Sequence, residues 1–203
     1  MNDVTTRIAA ALLSSVLLGA APSAGAAGSV TLFAGYGGTS GIENVTTGSS
    51  ADVKNAATFG AAFDWPLDPS RELQLYYTQQ STSVGPGGSA ASFDLAMRTL
   101  HIGGTVFVDG SIARGFYAVG GLGVTQFSPS GSGYGSEVKP SGNLGFGYLL
   151  PLGDRLALRM EVRGTLALVN SSGGFLCSGG CVVVLKGDAV SQVQAQIGVT
   201  GRF

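Results

Sequence analysis

The chain has 203 residues, with 11 lysines and arginines against 12 aspartates and glutamates, a formal net charge of −1 and mean hydropathy of +0.33. So balanced a charge, with no basic stripe, excludes an electrostatic nucleic-acid binder. Hydrophobic residues make up 44%, which excludes a disordered chain. Charged residues make up only 11%, which is too few to expect an ordinary soluble surface.

The first 27 residues read as a secretory signal. "MNDVTTR" carries Arg7, Ile8 to Leu18 form a short apolar core, and Ala24-Gly25-Ala26 is a small-residue cleavage site. The core is too short to span a bilayer as a helix. The mature domain is expected to cover residues 28–203. No later apolar run approaches the roughly 20 residues of a spanning helix, so any crossing is by strands. The 34 glycines are well above the ordinary share of about 7%. They suit strands that bend or pack closely, as in barrels.

Apolar–polar alternation with a period of two predicts eight strands in chain order. The first, residues 29–37, carries Val30, Leu32, Ala34 and Tyr36 on one face. In the second, 55–65, Phe59, Phe63 and Trp65 oppose Thr58 and Asp64. The third, 71–80, sets Leu73, Leu75 and Tyr77 against Glu72, Gln74 and Tyr76. The fourth, 95–108, sets Leu100, Ile102 and Val106 against Thr99, His101 and Thr105, with Phe107 interrupting the polar face. The fifth, 114–127, is too rich in glycine and apolar residues to assign a parity. The sixth, 143–150, alternates Leu144, Phe146 and Tyr148 with Asn143 and glycines. The seventh, "RLALRMEVRGTLAL", alternates Leu158, Met160 and Val162 with Arg159, Glu161 and Arg163. The eighth is the terminal "QVQAQIGVTGRF", where Gln192, Gln194 and Gln196 oppose Val193, Ala195, Ile197 and Val199.

Connections alternate between short and long. Residues 66–70, 109–113 and 151–154 are turns rich in Pro, Asp and Gly, and residues 38–54, 81–92, 128–142 and 170–187 are long polar stretches. This predicts an all-β fold: an eight-stranded antiparallel up-and-down transmembrane β-barrel with short periplasmic turns and four extracellular loops. In hydrocarbon only a closed barrel leaves no unpaired strand edge. A secreted β-sandwich is the alternative, and it would expose more charge. Trp65, Tyr148 and Phe203 fall near one rim and suit an aromatic girdle at the membrane interface.

The export signal, the eight amphipathic strands and the terminal "GVTGRF" resemble the small outer-membrane barrels typified by OmpA and OmpX. The resemblance covers the mature chain. It implies an integral protein of a Gram-negative outer membrane, with lipid, periplasmic chaperones and the barrel-assembly machinery as partners. In that family the last strand and its final aromatic are the assembly signal. Here Phe203, Val199, Ile197 and Ala195 match, while Gly201 stands where an apolar or aromatic residue is usual. With no peptidoglycan-binding domain after the barrel, a stand-alone barrel is expected.

Asp64, Glu72, His101, Arg159, Glu161, Arg163, Gln192, Gln194 and Gln196, with Gln74, are expected to face the lumen as a polar network. Arginine facing lipid at mid-membrane would cost about 2–4 kcal/mol. An eight-stranded barrel is just wide enough for side chains to fill, so a plugged interior is expected, with a narrow channel for small or apolar solutes as the alternative. Cys177 and Cys181, in "CSGGC", suit a disulfide in the fourth loop of an exported protein. A metal pair is the rival, and the one histidine lies far off in sequence. Outer-membrane lipid A deacylases pair His with Ser and an acid, but "HIGGT" places no serine beside His101. No catalytic residues, metal or cofactor are therefore expected. The function expected is structural or surface-interacting, with an unidentified loop ligand.

Overall fold

The computed structural model describes residues 28–39, 42–43, 50–51, 54–84, 93–130, 135–168 and 189–203. The signal segment and both cysteines lie outside the described residues. Among the described residues ten strands run β1 (Ser29–Thr39), β2 (Ile42–Glu43), β3 (Ser50–Ala51), β4 (Ala56–Asp68), β5 (Arg71–Val84), β6 (Phe93–Phe107), β7 (Gly115–Pro129), β8 (Glu137–Pro151), β9 (Leu156–Leu168) and β10 (Ala189–Arg202). Eight of them close an antiparallel barrel in the order β1-β10-β9-β8-β7-β6-β5-β4, and β4 returns to β1. The short β2 and β3 pair with each other, within a stretch expected to be loop throughout.

Closure joins the two ends of the domain. Ser29 stands opposite Arg202 and Thr39 opposite Gln192. Just beyond, Gly28 and Phe203 exchange both backbone hydrogen bonds at 3.1 Å. Each of the eight barrel strands is paired on both sides, which is the condition for strands in hydrocarbon.

The eight barrel strands run to 11–15 residues, longer than the 9–11 or so a tilted strand needs to span. The surplus corrects the expected loops. Residues 81–84, 128–129 and 137–142, expected to be loop, continue the ladder. There the outward face turns polar, with Gln79, Ser81 and Ser83 on β5, so hydropathy alternation fades while backbone pairing goes on. Below that level the outward face is apolar, and Leu122 and Leu144 are each 74% exposed. The parity of the fifth run, unassigned in the sequence, is now fixed. Tyr117, Val119, Thr125 and Phe127 are buried inside, while Phe116, Leu122 and Val124 point out.

At the end carrying the tight turns, Asp68 organises the β4–β5 connection. Its Oδ1 accepts from the Ser70 backbone N–H at 2.8 Å and the Ser70 hydroxyl at 2.9 Å, and its Oδ2 accepts from Arg71 Nε at 2.5 Å. The register shifts between Pro66 and Asp68, as expected where proline cannot donate to a ladder. This turn lies clear of the apolar band. The Ser70 backbone N–H first, and then Arg71, pull the Asp68 carboxyl down to about 2.

Candidate functional site

Inward-pointing positions fill the lumen in layers. Nearest the tight turns, Phe107, Tyr117, Val119, Leu149 and Ala157 pack together under Ile112 of the β6–β7 turn. Phe107, which interrupts the polar face of its run, thus belongs to an apolar plug at the turn end.

Above the plug lies an ionic layer built on β9. Residues 159, 161 and 163 share one face because the strand period is two, and all three are buried. Arg159 Nη1 meets Asp64 Oδ2 at 2.9 Å, and Arg159 Nε donates to the Tyr117 hydroxyl at 2.9 Å. Arg163 Nε meets Glu161 Oε1 at 2.7 Å, and its Nη2 donates to Gln74 Oε1 at 2.9 Å. Glu161 also accepts from the Tyr117 hydroxyl at 2.9 Å and from Gln196 Nε2 at 2.7 Å. Both guanidinium groups lie over aromatic rings: Arg159 is 4.5 Å from the Tyr117 centroid and Arg163 is 3.7 Å from that of Tyr76. Buried charges are costly unless paired and hydrogen-bonded. Here each arginine faces a carboxylate, and the remaining donors meet amides or hydroxyls.

Toward the loop end amides and hydroxyls take over the lining, up to the Lys139–Glu137 ion pair at 2.8 Å on the inward face of β8. Gln194 Nε2 donates to the Tyr76 hydroxyl at 2.5 Å, and that hydroxyl donates to Gln196 Oε1 at 3.1 Å. Gln192 bonds to the Gln80 side-chain oxygen. Glu72 is buried on the same inner face, at the turn end beside Gln74. The lumen residues singled out in the sequence are therefore brought together inside one wall. Tyr76, Tyr117, Ser141 and Asn143 join them. Of these, Tyr76 was legible on the polar face of its run; Tyr117 had no parity to place it.

His101 lies in the lumen with a partner that its sequence neighbours do not show. No serine stands beside it in the sequence, yet Ser141 Oγ on β8 lies 2.8 Å from its Nε2. The two residues are 40 positions apart, with β7 between their strands, so the contact has no signature in the local sequence. The geometry nevertheless opposes nucleophilic catalysis. Arg163 Nη1 donates to Asn143 Oδ1 at 3.2 Å, so the Asn143 amide nitrogen is the group turned to His101 Nδ1. Nδ1 then accepts, and the ring proton sits on Nε2 and points at the serine. In a triad the base instead takes the proton from serine, and an acid orients it through Nδ1–H. His101 is also buried, with 1% exposure. Thr125 adds a 2.8 Å hydrogen bond to Ser141 and contacts Thr99 at 3.1 Å, continuing a chain of side chains across the wall.

The aromatic residues at the turn end lie on the outer face. The Phe63 ring lies tilted against Trp65 with centroids 3.9 Å apart and 5.8 Å from that of Phe203, while Phe116 meets Tyr148 edge-on at 4.8 Å between centroids. Tyr36 and Tyr77 stand exposed nearer the loop end. Val193, Ile197 and Val199 of β10 point outward and are half exposed. A wall that is apolar outside and ionic inside has lipid as its solvent.

No family model matches the chain, and no curated protein matches it. Solved structures do. Neisserial surface protein A (NspA) aligns with a TM-score of 0.57 at 14% identity, over 88% of this chain and 99% of its own. Ail, the attachment invasion locus protein of Yersinia pestis, in complex with the heparin analogue sucrose octasulfate, aligns with a TM-score of 0.52 at 15% identity, over 87% and 99%. The outer membrane protein OprG of Pseudomonas aeruginosa gives 0.50 at 17% identity, over 88% and 97%. The fold of this chain is that of the small eight-stranded outer-membrane barrels.

Proposed function

We propose that the protein is an outer-membrane anchor whose closed barrel holds its long loops at the cell surface for structural or surface-interaction duty. The first 27 residues act as the export signal, and β10 with Phe203 is the segment read by the assembly machinery after periplasmic chaperones deliver the chain. Cys177 and Cys181 form a disulfide that stiffens the fourth loop. The observation that carries the reading is the Arg159–Asp64 pair, which bridges the lumen from wall to wall at 2.9 Å with both side chains buried. A pore would need those groups solvated and apart. The His101–Ser141 geometry supports a non-enzymatic role, because the imidazole donates to the serine instead of accepting from it. Conductance of the refolded full chain in planar bilayers tests the proposal. Background current with an intact heat-sensitive gel shift agrees with an anchor, while discrete openings would make it a narrow channel.

A further inference from the structure

Lipid contact is not uniform around the wall. On β5–β7 the outward residues run from Leu75, Ile102 and Leu122, through Tyr77, Leu100 and Val124, to Gln79, Arg98 and Gln126, and then to Ser81, Ala96 and Ser128. Arg98 therefore points outward where the apolar band gives way to polar residues at the loop end. It is exposed, and among the described residues no ion pair includes it. Its flanking partners, Gln79 on β5 and Gln126 on β7, are uncharged. Asp94, farther up the same face, is held by the Ser83 hydroxyl at 2.8 Å.

A second feature lies close by. An apolar groove of about 700 Å³ runs over the outer wall from β7 to β10, rimmed by Leu122, Leu144, Leu166, Leu168 and Val193, with Gly164 in its floor. Its lining reaches Pro140, two residues below Val138, which pairs with Gln126, the partner of Arg98. With strands spaced about 4.8 Å apart, the mouth of the groove lies roughly 10 Å sideways from Arg98. Arginine at an interface extends its head toward the polar zone, and its planar fork matches phosphate oxygens.

We propose that Arg98 and this groove form one site for a phosphate-bearing acyl lipid of the extracellular leaflet. One acyl chain lies in the groove, and the phosphate is held by Arg98 with the Gln79 and Gln126 amides beside it. The site rests on the outer-membrane reading and on the loop end facing outward.

Native mass spectrometry of the full chain in dodecyl maltoside, with hexa-acylated diphosphoryl lipid A as probe, tests the site. The expected result is one tightly bound lipid. Arg98→Gln weakens it at least about tenfold, as loss of a charged hydrogen bond should, and Arg98→Lys keeps most of it. Gly164→Leu, whose Cβ would meet nothing closer than 3.8 Å, fills the groove and weakens binding by about fivefold through lost apolar burial. Wild-type affinity in Arg98→Gln or in Gly164→Leu overturns the joined site. So does equal binding of the dephosphorylated lipid, or competition by millimolar inorganic phosphate, which would point to a free-anion site. The heat-sensitive gel shift of each variant separates these outcomes from failure of the barrel itself.

Discussion

Arg159 on β9 and Asp64 on β4 meet at 2.9 Å across the lumen, with β10 and β1 between them along the wall. Removing one partner strands the other charge in the interior. Arg159→Ala is expected to cost about 3–5 kcal/mol of stability, read by urea unfolding in lipid vesicles. Arg159→Met combined with Asp64→Leu is expected to recover most of that loss, because an apolar filling has no charge to desolvate. A double variant as unstable as the single one would contradict this account.

Gly147 makes room for the Tyr117 ring. A Cβ at 147 would overlap the Tyr117 hydroxyl and the Met160 carbonyl oxygen. Gly147→Ala should therefore push Tyr117 off Glu161 and Arg159. A loss of about 1–3 kcal/mol is expected, the size of an overpacked core. The temperature at which the compact gel form is lost should fall accordingly.

The hydrogen bonds around His101 predict a neutral imidazole protonated at Nε2. Nitrogen chemical shifts of the labelled barrel would report this tautomer directly, and a proton on Nδ1 would show that the Asn143 amide is turned the other way. Ser141→Ala leaves the Nε2–H without its acceptor and should cost about 1–3 kcal/mol.

Depth sets the cost of charge on the outer wall. Leu144 sits midway along β8, and Leu144→Arg should destabilise by about 2–4 kcal/mol. Val138 is level with Gln126 at the polar boundary, and Val138→Arg should cost about 0–1 kcal/mol. Equal costs would mean that the apolar band is misplaced.

Asp68 supplies a pH dependence at the β4–β5 turn. Its carboxyl is lowered from 3.8 to about 2 in the folded chain. A depressed carboxyl stabilises above its unfolded value and loses that contribution as pH falls through the folded one. Opening of the turn is therefore expected between about pH 4 and pH 2 and should show as faster hydrogen exchange at the Ser70 amide. Asp68→Asn should abolish the dependence.

The eight barrel strands, their antiparallel order and the facing of β9 were legible because a period of two sorts side chains between two solvents, and charge cannot face lipid cheaply. Arg159, Glu161 and Arg163 could be assigned to the interior from their spacing alone. Strand ends were not legible, since Ser81, Ser83 and Ser128 are polar whether or not their backbones are paired. The inward face of β7 was hidden too, because glycines carry no side chain to report a face. Partners were least legible of all. Arg159 meets Asp64 over 95 positions, and His101 meets Ser141 over 40. Sequence alone determined which residues of the clearly alternating strands avoid lipid. Only closure of the barrel decided which of them touch, because register and curvature bring distant strands face to face.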